Sequence, residues 1–121
     1  MIKRLLSFKY AFAGLADMVR TQMNARIHLA AATAVLIAGW FFQLSATEWA
    51  LLFICIAGVL AAEAFNTALE YLTDLVSPGI HPLAGKAKDA AAAAVLLVSI
   101  GAIAVGLLIF LPQFFSFLNL E

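Results

Sequence analysis

Between Ile27 and Thr47 the chain carries no Asp, Glu, Lys or Arg. A helix needs about 20 residues to cross the hydrocarbon of a bilayer, and this run is long enough. A second apolar run opens at Trp49, meets its first charge at Glu63 and stays helical in pattern past Glu70 to about Asp74. A third extends from Ala90 to Leu120, and Pro112 is its expected end. The pattern predicts an all-α membrane protein with three transmembrane helices, over residues 27–44, 48–74 and 88–111. Ser45, Ala46, Thr47 and Glu48 have the spacing of a capping box. That motif would start the second span after a tight turn at Gln43 and Leu44. Ser77, Pro78 and Gly79 break the second helix, and the segment Ile80–Lys88 is expected as the longest polar connection, facing water.

Residues 1–25 have a different pattern. Leu5, Phe8, Phe12, Leu15 and Val19 fall on one helical face, and Lys3, Lys9, Asp17 and Arg20 lie away from it. This predicts an amphipathic helix lying in the membrane interface. A positively charged anchor with no further role fits the same pattern.

Composition sharpens this picture. The chain has 121 residues, room for one domain. It is 65% apolar and 12% charged, with a mean hydropathy of +1.05. Soluble domains are nearer 45–50% apolar and about 25% charged. So short a chain cannot hide that much apolar surface in its own core, which excludes a soluble monomer. Lys and Arg balance Asp and Glu at seven each, leaving no basic excess for nucleic acid. The single cysteine, Cys55, excludes an internal disulfide framework and a Cys-rich metal site. All the Lys and Arg residues lie before the first span or at Lys86 and Lys88. The positive-inside rule then places the N-terminus and the 75–89 connection in the cytoplasm. The first apolar run begins too late, and lacks the cleavage site, for a removable signal peptide.

Charge within a span is costly, about 2.5–3.5 kcal/mol per group on insertion scales. Glu63, Asn66, Thr67, Glu70 and Asp74 nevertheless lie in the second span, within a sector of about 100° on one helical face. Leu60, Phe65, Leu69 and Leu72 occupy the other face. Glu63 and Glu70 are about 10 Å apart along the axis, too far to share one small ion directly, so they are expected to hold different jobs. Lys86, Lys88 and Asp89 open the third span at the same cytoplasmic rim. Carboxylates and an amide suit Mg²⁺, lysine suits phosphate, and a carboxylate at membrane depth suits a general base. Together they point to phosphoryl transfer onto a lipid alcohol. A stripe that only joins helices by hydrogen bonds is the alternative. Gly79–Ala87 is not a P-loop. Five residues separate Gly79 from Gly85, and Ala87 stands where the loop needs Ser or Thr. His28 and His81 are isolated in sequence, and a hydrogen-bonded interface histidine is the default reading of each.

The run Glu63-Ala64-Phe65-Asn66-Thr67-Ala68-Leu69-Glu70 with Asp74, followed by Ala87-Lys88-Asp89 and the small residues to Leu96, resembles the signature of the bacterial integral-membrane diacylglycerol kinases. The resemblance extends through Ser7–Gly14, Asn24–His28, Leu44–Trp49 and Phe110-Leu111-Pro112. The Arg26-Ile27-His28, Ser45-x-x-Glu48-Trp49 and Phe110–Pro112 elements are closer to the undecaprenol-kinase branch. The resemblance implies an ATP- and Mg²⁺-dependent lipid kinase of the bacterial cytoplasmic membrane. Its three-span subunits would form a homotrimer with active sites shared between neighbours. Glu63 would be the base that takes the lipid hydroxyl's proton, and Asn66 would orient it or the substrate. Glu70 would ligate Mg²⁺ on ATP. Asp74 would help place the nucleotide, Lys88 would contact its phosphates and Asp89 would anchor that lysine. Tyr10 on the first helix and His81 would cover the nucleotide. Two positions depart from the family pattern: Gln22 stands where a second metal-site Glu is usual, and Ala13 where a Lys is common. The exchange at Gln22 keeps an oxygen ligand and loses its charge. The sequence does not distinguish undecaprenol from diacylglycerol. Two other readings are a small membrane subunit carrying protons or cations along the Glu63/Glu70 stripe, and a non-catalytic family member.

Overall fold

The computed structural model describes residues 2–119, apart from the side chains of Ile2 and Leu5. The expected apolar contribution of Leu5 and the end of the third run at Leu120 therefore lie outside what is described. The described chain is all helical: α1 (Ile2–Thr21), α2 (Met23–Phe41), α3 (Ala46–Val76) and α4 (Pro82–Phe117). α3 and α4 are the main packed pair, while α1 and α2 lie against α3 and against each other.

Each boundary has a local cause. Gln22 is the one residue between α1 and α2, with extended backbone (φ −106°, ψ 117°). The helix expected over 1–25 therefore ends at Thr21, and Asn24 and Arg26 belong to the first turn of α2. No Gly or Pro marks that break in the sequence. At the other end of α2, Gln43 takes a left-handed conformation (φ 53°). Leu44 N–H donates to Gly39 O and Gln43 N–H to Trp40 O, which satisfies the last carbonyls in a Schellman-type turn. The capping box at the start of α3 forms as the spacing predicts: Glu48 N–H donates to Ser45 Oγ, and Ser45 N–H donates to Glu48 Oε2.

α4 departs from expectation at both ends. It begins at Pro82 instead of near Lys88, so most of the expected polar connection is helix and only Ser77–His81 lies between α3 and α4. Proline at the first helical position needs no N–H and has a helical φ already. His81 Nδ1 caps the turn by accepting from Leu83 N–H at 3.1 Å. At the far end α4 passes through Pro112 to Phe117. The proline removes one hydrogen bond, but apolar surroundings offer the flanking groups no better partner than the helix.

α3, with 31 residues, and α4, with 36, are long and apolar enough to cross a membrane. α2 has 19 residues and carries Asn24, Arg26 and His28 in its first turns, and it does not share that character. The buried apolar cluster is small and lies at the α2–α3 turn: Leu44, Leu52 and Ile109, with Trp49, Phe42 and Phe110 against it. Elsewhere polar groups share the interior with Met18, Ala25, Val59, Ala91 and Val95, and large apolar side chains lie outside. Glu63, Asn66 and Thr67 are buried, while Phe65, Leu72, Leu97 and Leu108 are exposed. Such a surface requires lipid or further copies of the chain around it. On α1, Phe8, Phe12 and Leu15 are exposed together, and only Met18 is deeply buried among its described side chains.

Candidate active site

The inward face of α3 gathers the polar groups. Glu63 is 1% exposed. Thr67 lies one turn on and satisfies its own hydroxyl by donating to Glu63 O at 2.9 Å, so it leaves the Glu63 carboxylate untouched. From α2, His28 brings Nε2 to 3.2 Å from Glu63 Oε1. That is ion-pair distance without hydrogen-bond alignment, and Oε1 has no hydrogen-bond partner.

Three buried side-chain atoms among the described residues lack a partner: Glu63 Oε1, Asn66 Oδ1 and Ser99 Oγ. All three residues line one cleft of about 300 Å³ between α2, α3 and α4. Its remaining polar lining is Asn24 and His28, and Ile27, Val95 and Leu96 supply apolar wall. Buried polar atoms are nearly always paired in folded proteins. Three unpaired ones converging on one cleft give it hydrogen-bonding capacity that the described residues do not fill.

One turn further along α3, Glu70 receives two donors. Asn66 Nδ2 donates to its Oε1 and Gln22 Nε2 to its Oε2, each at 3.3 Å. The break between α1 and α2 thus delivers Gln22 directly to Glu70. These residues can supply a hard cation with a carboxylate and, after a half-turn of the Gln22 amide, an amide oxygen. No group of three or more His, Cys, Asp or Glu gathers around a common point among the described residues. The donor set fits an ion that arrives with most of its ligands on a phosphate-bearing substrate, as Mg²⁺ does.

Past Glu70, Lys88 of α4 forms an ion pair with Asp74 of α3. The lysine's partner is therefore Asp74, not the expected Asp89, which is exposed; adjacent helical residues do not face each other. His81 caps α4 and lines a separate, mainly apolar cleft of about 580 Å³ between the end of α3 and the start of α4. Tyr10 is exposed on α1, and no hydrogen bond among the described residues joins it to the others. The structure therefore brings together Glu63 with Asn66, Glu70 with Gln22, and Asp74 with Lys88.

Two contacts escape sequence reasoning. His28, isolated in sequence, meets Glu63. Tyr71 OH donates to Asp17 Oδ2 at 2.7 Å and lies 3.2 Å from Thr21 Oγ1, which ties α1 to α3 beside Gln22. Neither contact has a local spacing signature, since each joins residues far apart in the chain.

The sequence matches the family described as prokaryotic diacylglycerol kinase over residues 9–110. It is 46% identical over 107 residues to undecaprenol kinase of Bacillus subtilis (strain 168), covering 88% of this chain and 87% of that one. It is 43% identical over 113 residues to diacylglycerol kinase of Synechocystis sp. (strain ATCC 27184 / PCC 6803 / Kazusa), covering 93% of this chain and 65% of that protein.

Proposed function

The chain belongs to the prokaryotic diacylglycerol kinase family and is a lipid kinase of the membrane, and from that premise we propose that it transfers the γ-phosphoryl group of ATP to the hydroxyl of a lipid alcohol at the cytoplasmic face. Undecaprenol is the favoured acceptor, because the relative matched over nearly its full length is named for it. Diacylglycerol is the competitor. The observation that carries the reading is the cleft itself, in which a buried carboxylate with a free oxygen meets an apolar wall.

In this reading Ile27, Val95 and Leu96 hold the first carbons of the lipid. The hydroxyl enters beside Glu63, which accepts its proton, and the oxygen attacks the γ-phosphorus in line with the departing ADP. Asn66 orients the reacting groups. Glu70 and Gln22 would hold Mg²⁺, which when bound offsets the charge on the nucleotide's phosphates. Lys88 would exchange Asp74 for a phosphate oxygen, an ion-pair swap between partly exposed groups of the kind that costs little. Asp74, Asp89, Tyr10 and His81 would surround the nucleotide. We read the chain as one domain, with α1 in the interface, the apolar run from Ile27 that α2 carries as the first span and α3 and α4 as the others, N-terminus in the cytoplasm of a bacterium. Three copies would share sites across their contacts.

Purified protein in mild detergent, given ATP, Mg²⁺ and an equal mixture of undecaprenol and diacylglycerol, tests this. The expected result is lipid phosphate, with undecaprenyl phosphate in excess. ATP consumption without any lipid phosphate would refute it.

A further inference from the structure

Burial that suits Glu63 to accept a proton also obstructs its release. At 1% exposure the carboxylate has almost no contact with its surroundings outside the cleft, yet each turnover would leave one proton on it. The surrounding cleft offers one other titratable group. α4 contributes Ala92, Val95, Leu96 and Ser99, α3 contributes Asn66 beside Glu63, and α2 contributes Asn24, Ile27 and His28. Only His28 can take up a proton. Its Nε2 lies 3.2 Å from Glu63 Oε1, and its side chain is 24% exposed. It therefore touches the buried base on one side, and the rest of its ring is partly exposed near the start of α2, which the proposed orientation puts at the cytoplasmic rim.

We infer that His28 is a positioning residue for Glu63 and the exit for its proton. The inference rests on the reading of Glu63 as the base. In the reaction, the lipid O–H bond breaks and its proton goes to Glu63. The lipid oxygen forms a bond to the γ-phosphorus, and the bond from that phosphorus to the bridging oxygen breaks, its electron pair leaving with ADP. Glu63 then donates the proton to Nε2 of His28, and the imidazolium releases a proton to water. The carboxylate and neutral imidazole are restored, and no co-reactant is needed.

The test uses His28→Gln and His28→Ala in the purified protein, with ATP, Mg²⁺ and undecaprenol, and diacylglycerol in parallel. Gln keeps polarity and rough size but cannot accept a proton. Both variants should lose about 10- to 100-fold in kcat, less than or equal to the loss expected for removing the base itself. The KM for ATP should stay within about twofold, because the nucleotide residues are elsewhere. Free imidazole should restore part of the His28→Ala rate, while pyrazole, of the same shape but a far weaker base, should not. A wild-type kcat in His28→Gln would overturn the inference, as would equal rescue by both azoles. Should His28→Ala fail to fold, the kcat and KM of His28→Gln decide alone. Glu63→Gln in the same assay separates the two claims. If it keeps wild-type kcat, the base assignment fails. If it is inactive while His28→Gln is normal, only the role of His28 fails.

Discussion

At Gln22 a single exchange sets the charge of the proposed metal site. Its amide donates to Glu70, so the site has one carboxylate where the family pattern has two. A carboxylate about 4 Å from the ion at an effective dielectric near 20 is worth roughly 4 kcal/mol before desolvation offsets much of it. A net gain of about 1–2 kcal/mol corresponds to about 5–30-fold in affinity. Gln22→Glu should therefore lower the Mg²⁺ concentration giving half-maximal activity, and Gln22→Ala should raise it, in titrations at fixed ATP and saturating lipid. Unchanged midpoints in both variants would remove residue 22 from the metal site. The Gln22→Glu exchange also has a structural cost. Without metal, the added carboxylate would face Glu70 as a like charge, so the variant's thermal midpoint should fall in chelator and recover with Mg²⁺. The stripe from Glu63 to Glu70 was legible in the sequence because it lies on one helix and obeys helical spacing. The His28–Glu63 and Asp17–Tyr71 contacts were not, because only the packing of separate helices creates them.

Helix boundaries divide in the same way. The start of α3 was readable because Ser45 and Glu48 complete their motif within four residues. The start of α4 was not, because histidine is an uncommon N-cap and the Gly and Pro residues nearby suggested a longer loop. The passage through Pro112 was also hidden, since proline predicts a stop unless the surroundings make unpaired backbone costlier still. At the α2–α3 turn, packing is tight enough to test. A Cβ on Gly39 would lie 2.8 Å from Trp49 Cη2 and 3.1 Å from Leu44 Cδ1. Trp49 is itself stacked on Phe53, so moving its ring would disturb that contact. Gly39→Ala should destabilise the protein by about 1–3 kcal/mol, the usual range for overpacking, despite the better helix propensity of alanine. A thermal melt in detergent reads this directly, and an unchanged or higher midpoint would show that the turn yields.

Across the whole molecule, the partly polar interior and apolar exterior call for lipid or further copies around each chain. α4 exposes Ala92, Ala93 and Ala94, and a Cβ at Gly101 or Gly106 would meet open space. Small residues of this kind let helices approach closely in membranes. The proposed homotrimer predicts a trimer by cross-linking or native mass measurement in mild detergent, and a stable, fully active monomer would contradict that assembly. The proposed role of Glu63 in the chemical step underlies every other assignment at the site. It is tested most directly by measuring kcat and nucleotide affinity together for Glu63→Gln in the purified, lipid-supplied protein. Its kcat should fall by about 10²–10⁴ with Mg·ATP binding nearly unchanged. A variant that instead keeps its kcat and loses only nucleotide affinity would contradict it.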